Sequence, residues 1–187
     1  MILYPTETLY ALGVNALDES ELAKLYALKD RDGSKVASWL VRDMEDVARY
    51  AVVNKNALKI AEQFLPGQLT LVLKALPSVP KGVIAADGTI GFRISADPFA
   101  QKKITGFMAE FDAPLTCTSA NVSGLATLGT TGEILQQFGK KASLIDTIID
   151  GGPRKGLAST VVRVIGDEVA VLREGDITEK QIREVVE

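Results

Sequence analysis

The sequence predicts an α/β fold in one domain spanning residues 1–187. Short apolar runs bounded by Gly or Pro alternate with amphipathic stretches that carry helix-capping residues. No repeat, linker or low-complexity block interrupts this order. The length suits one well-buried domain and is short for two.

Met1 to Tyr4 reads as a strand, broken by Pro5-Thr6-Glu7-Thr8, and Leu9 to Gly13 resumes the apolar character. Asp18, with Glu21 three residues on, opens a helix whose apolar face is Leu22, Leu25, Tyr26 and Leu28. That helix delivers Lys29, Arg31 and Lys35 at its C-terminal end, where cations also complement the helix dipole. Val36 to Val41 reads as a strand around Trp39, Asp43 to Ala51 as a helix, and Asn56 to Phe64 as a second helix. Leu69 to Leu73 is a near-continuous apolar strand, and a Pro/Gly-rich loop over 77–88 leads to a strand over Thr89–Ile94. Arg93 lies inside that apolar pattern and therefore needs a partner or a cleft.

Asp97-Pro98 is a helix start, with a capping carboxylate followed by Pro at the first helical position. Phe99, Phe107, Met108 and Phe111 are expected to be its buried face. Thr131 to Phe138 reads as a short helix and Ile145 to Ile149 as a strand. Residues 159–164 and 169–173 read as a hairpin across Gly166-Asp167. Thr178 and Gln181 form a capping box for a terminal helix with Ile182, Val185 and Val186 inward.

Composition narrows the chemistry. The chain is 47% apolar and 24% charged, with a net charge of −3, which argues against a whole-surface nucleic-acid binder. No apolar run approaches the roughly 20 residues of a membrane span, and no signal peptide is legible, so the cytoplasm is the expected compartment and no membrane partner is expected. Cys117 is the only cysteine and histidine is absent, which removes disulfides, thiolate clusters and imidazole-based triads. No metal site is expected. Chemistry must rest on cations, carboxylates, hydroxyls, backbone dipoles or a metal brought by the ligand.

The stretch Thr116-Cys117-Thr118-Ser119-Ala120-Asn121-Val122-Ser123-Gly124 is small and hydroxyl-rich after a buried apolar run, a composition suited to holding an anion. Turn chemistry alone would also produce it. Lys29 and Arg31, Arg93, Ser119 and Asn121, and Arg173 all fall at ends or breaks of elements, where an open α/β sheet gathers a ligand. Together they suit a polyanion. Neither a P-loop nor a Rossmann Gly-x-Gly-x-x-Gly is present. Glu7, between two threonines, could orient an amine or a metal, although a turn carboxylate is ordinarily solvated.

In sequence order, Pro5-Thr6-Glu7-Thr8-Leu9-Tyr10-Ala11-Leu12-Gly13, Lys29-Asp30-Arg31, Pro66-Gly67-Gln68-Leu69-Thr70-Leu71, Ser119-Ala120-Asn121-Val122-Ser123-Gly124, Ser159-Thr160-Val161-Val162 and Leu172-Arg173-Glu174-Gly175 resemble the YrdC/Sua5 family of threonylcarbamoyl-AMP synthases. The resemblance implies a YrdC/RibB-like twisted, mixed parallel and antiparallel sheet with flanking helices and a concave positive groove. It implies that L-threonine, bicarbonate and ATP, with Mg2+ carried on the nucleotide, give threonylcarbamoyl-AMP and pyrophosphate. That product would pass to a separate threonylcarbamoyl transferase complex for tRNA modification. By motif, Lys29 and Arg31 are the implied catalytic residues. Lys29, Arg31, Thr89, Ser119, Asn121, Thr127 and Arg173 would bind nucleotide, and Thr6, Arg93, Cys117 and Ser159 would bind threonine.

The chain departs from the family pattern at several points. Ala11 and Thr118 replace a usual Gly and Pro, Asp32 to Ala37 replaces a Pro-rich segment, and the first strand starts at Met1. The length leaves no room for the C-terminal domain of longer members. Alternative readings on the same fold are a non-catalytic protein that binds double-stranded RNA or tRNA in ribosome maturation, a carbamoyl-transferring relative, and a disabled paralogue.

Overall fold

Ile2–Pro5 (β1) and Tyr10–Gly13 (β2) are wholly buried and pair antiparallel, with Tyr4 opposite Ala11. The structure is a computed structural model, and it describes residues 1–31 and 36–187. The Asp32–Lys35 part of the loop singled out above lies outside the described residues. Helix α1 (Glu19–Lys29) is capped by Asp18, whose side chain accepts from the amides of Ser20 and Glu21. It buries Leu22, Leu25 and Leu28, together with Lys29.

The following strands are β3 (Ser38–Leu40), β4 (Leu69–Lys74), β5 (Thr89–Arg93), β6 (Leu115–Ser119), β7 (Thr147–Ile148), β8 (Thr160–Ile165) and β9 (Glu168–Arg173). With β1 and β2 they form, among the described residues, a nine-stranded sheet in the order β7-β1-β2-β6-β3-β5-β4-β8-β9. β1–β7, β3–β5 and β4–β8 are parallel and the other neighbours antiparallel, which bears out the mixed sheet. Helices α2 (Met44–Ala48), α3 (Lys55–Phe64), α4 (Pro98–Phe111), α5 (Thr131–Phe138) and α6 (Glu179–Val186) flank it. The larger apolar cluster centres on Trp39, which meets Tyr50 and Phe92 edge-on at 5.4 and 5.9 Å. A smaller cluster packs α4 against Tyr4, Leu40 and Leu115.

The largest differences from the sequence expectation are in two shortened elements and one helix face. α2 stops at Ala48 because the chain straightens: the Val52 amide donates to the Lys74 carbonyl and Ala51 bridges Ala75. The strand expected over 145–149 shrinks to Thr147–Ile148 on the edge beside β1. On α4 the buried stripe is Ala100, Ile104 and Met108, whereas Phe99 and Phe111 are exposed and Phe107 is half-buried. Residues four apart share a helix face, and 100, 104 and 108 are the set turned to the sheet. No described helix is long and apolar enough to cross a membrane.

Candidate functional site

The N-terminal hairpin bends through Thr6. Its Oγ1 donates to the Leu9 carbonyl at 2.6 Å and accepts from the amides of Thr8 and Leu9. This local turn chemistry sets Thr6 and Thr8 on the wall of a cavity of about 320 Å3. Arg31, Ser38, Thr70, Arg93, Cys117, Thr118, Ser119, Thr127, Ser159 and Arg173 also line it. The size is that of a small-molecule site. A larger groove of about 900 Å3 lies along α4 against Phe99, Phe107 and Phe111, and its lining carries charges of both signs. Most of the site residues expected from sequence line the smaller, polar cavity.

Three guanidiniums meet there. Arg31, at the end of α1, donates to Thr118 Oγ1 and to the Val36 carbonyl, both at 3.1 Å. Arg173, closing β9, donates through Nε and Nη2 to the Ser159 carbonyl at 3.0 and 2.6 Å. Ser159 Oγ in turn shares a hydrogen bond of 2.8 Å with Thr70 Oγ1. Arg93 is 4% exposed, and its Nε is buried with no partner among the described residues. Burial, and then the nearby Arg93 charge, push the pKa of Arg173 down, and burial does the same to Arg31. Arg93 is buried, Arg31 half-buried and Arg173 open to solvent, and like charges gathered on one cavity are the electrostatics of an anion site.

The loop after β6 is built on Lys29. Its ammonium donates to the carbonyls of Ser119 and Asn121 and reaches Asn121 Oδ1 at 3.5 Å. Ser119 Oγ donates to the same Oδ1 at 2.6 Å, and the Asn121 amide closes the loop onto the carbonyls of Val122 and Leu125. Lys29 and Asn121 therefore lie beneath the loop, while Ser119 and Thr127 reach the cavity. Burial, and then Arg31, push the Lys29 pKa down to about 7. The three oxygen acceptors favour its ammonium form against that burial.

Of the other site residues expected from sequence, Thr6, Cys117 and Ser159 line the cavity. Cys117 is buried, and burial pushes its thiol pKa up, so it presents a neutral thiol. Thr89 shares the Arg93 face of β5 by strand alternation but lies at the other end, and its hydroxyl donates to Asp87 at 2.7 Å. Glu7 corrects the solvated-turn expectation: it is largely buried and pairs with Arg93, while Ser95 Oγ donates to its second oxygen. The two unmatched charges in the sequence, one in a loop and one in a strand, are each other's partner. Thr70 was missed too, because a lone Thr in an apolar strand looks like any β-former.

The Sua5/YciO/YrdC family model, described as telomere recombination, matches residues 1–175. A Methanocaldococcus jannaschii relative, provisionally named a threonylcarbamoyl-AMP synthase, is 38% identical over 178 residues, covering 95% of this chain and 80% of that one. The crystal structure of Pyrococcus abyssi Sua5 complexed with L-threonine superposes with a TM-score of 0.85 at 30% identity, over 98% of this chain. This chain spans 53% of that longer protein. Escherichia coli YciO gives a TM-score of 0.83 at 27% identity over 97% of this chain and 85% of its own. Matched along nearly its whole length in sequence and in fold, the chain belongs to the Sua5/YciO/YrdC family.

Proposed function

We propose that the protein is an L-threonylcarbamoyladenylate synthase, a nucleotidyltransferase that joins L-threonine, bicarbonate and ATP into threonylcarbamoyl-AMP and releases pyrophosphate. The observation that carries this reading is the convergence of Arg31, Arg93 and Arg173 on one small polar cavity. Such a cavity suits a carboxylate and a polyphosphate held side by side. The relation to a P. abyssi protein complexed with L-threonine supports the amino-acid half.

Arg93, whose buried Nε lacks a partner among the described residues, takes the threonine carboxylate, with Thr6, Cys117 and Ser159 around the side chain. Arg31 and Arg173 take the phosphates, with Ser119 and Thr127 donating from the loop, whereas Thr89, outside the cavity and bonded to Asp87, takes no part. Lys29 and Asn121 hold that loop in shape from below. Carboxylation of the threonine amine gives an N-carboxylate, whose oxygen attacks the α-phosphorus as pyrophosphate departs. Both reactants are anionic, so the rate depends on positioning and charge neutralisation, which guanidiniums supply without a histidine. Mg2+ enters as part of the nucleotide substrate. The product is a reactive mixed anhydride, which suits transfer by a separate partner to tRNA.

The test is pyrophosphate release from MgATP and bicarbonate, with threonine, serine or no amino acid. Release that requires both threonine and bicarbonate is expected, and Arg31→Ala should lower turnover by about 10²-fold or more. No release from folded protein that binds ATP would overturn the reading, and dependence on carbamoyl phosphate would move it to carbamoyl transfer.

A further inference from the structure

The ion pair between Glu7 and Arg93 lies behind the cavity wall. Thr6 and Thr8 line the cavity on either side of Glu7, whereas Glu7 itself does not. One carboxylate oxygen takes Arg93 Nη2 and the other takes Ser95 Oγ. Ser95 Oγ also accepts the Asp97 amide at 3.2 Å. Asp97 is fixed in turn, since its Oδ1 caps α4 and its Oδ2 accepts Arg154 Nη2 at 2.8 Å. Glu7 is therefore held at both oxygens, one by Arg93 and the other through Ser95 by the start of α4. The Arg93 side chain is 5% exposed, and among the described residues its Nη2 meets only one other acceptor, the Gly67 carbonyl at 3.4 Å. Without Glu7 this guanidinium would be both uncompensated and free to turn.

The charge count at this end of the cavity follows. Arg93 and Arg173 repel one another across it, and Glu7 removes one of those two positive charges without entering the cavity. With Arg173 committed to the phosphates, a ligand arriving at Arg93 meets a guanidinium already paired with Glu7 and engaged at Nη2. That arrangement matches a monoanionic carboxylate and leaves a multiply charged phosphate undercompensated.

We propose that Glu7 is a positioning residue that makes Arg93 a carboxylate site and keeps phosphate out of the amino-acid end of the cavity. This rests on the synthase reading and adds to it how one basic cavity sorts its two anionic substrates.

The test compares wild type, Glu7→Gln and Glu7→Ala in the pyrophosphate-release assay, with circular dichroism to establish folding. Glu7→Ala should raise the KM for threonine about tenfold or more, on the strength of a charge-assisted hydrogen bond, with the KM for ATP little changed. Glu7→Gln preserves the shape and one acceptor, so its threonine KM should rise less. In Glu7→Gln, inorganic phosphate should become a competitive inhibitor against threonine, which a purely structural role for Glu7 would not produce. If Glu7→Ala does not fold, the isosteric Glu7→Gln carries the test alone. A Glu7→Gln enzyme with wild-type threonine KM and wild-type insensitivity to phosphate overturns this inference. Threonine-independent release by the wild type instead overturns the proposed function itself.

Discussion

Lys29 shows how the surroundings of one motif residue are set by distant atoms. Its position at the end of α1 suits dipole complementarity, yet it is 2% exposed and its ammonium is held by three oxygens of the 119–121 loop. Because its folded pKa of about 7 lies below the ordinary lysine value of 10.5, the unfolded chain holds the extra proton between those limits. Stability should therefore rise with pH across that window on account of this group, and Lys29→Met should flatten the rise. Urea midpoints of both proteins from pH 7 to 9.5 check this. Cys117 and Tyr4, whose pKa values burial raises, act in the opposite sense at the alkaline end but are shared by both proteins. Identical pH slopes would show that Lys29 titrates as an exposed lysine does.

At the scale of the element, α4 separates apolar composition from apolar burial. Ala100, Ile104 and Met108 meet the sheet, while Phe107 and Phe111 stack on each other at 4.7 Å on the groove side. Met108→Ala should cost about 2–5 kcal/mol, as for other buried methionines. Phe111→Ala, from a half-open position, should cost less than about 1 kcal/mol. Equal losses in chemical denaturation would mean that the phenylalanines are core after all. Caps were legible where a side chain closes its own turn, as at Asp97 and the Thr178–Gln181 box. The end of α2 was not, because what stops it is the Lys74 carbonyl on another element.

For the whole molecule, the cavity draws on residues from Thr6 to Arg173, contributed by β2, β3, β4, β5, β6, β8 and β9 and the loops between them. A ligand that bridges those strands binds only the folded sheet, so MgATP at about 100 times its Kd should add about 2.7 kcal/mol to stability. In a protein of this size that is a Tm rise of several degrees, readable by scanning fluorimetry. A Tm indifferent to MgATP would argue that the cavity is not a nucleotide site.

The sequence alone determined the α/β class, most caps and turns, and the motifs that carry the family resemblance, because each depends on neighbours a few residues apart. Tertiary structure decided which cations face the cavity and which lie beneath it. It also decided which helix face is buried and that Glu7 belongs to Arg93, 86 residues away. A charge in a sequence carries no direction. Its role is set by which distant oxygen it meets once the sheet has closed around it.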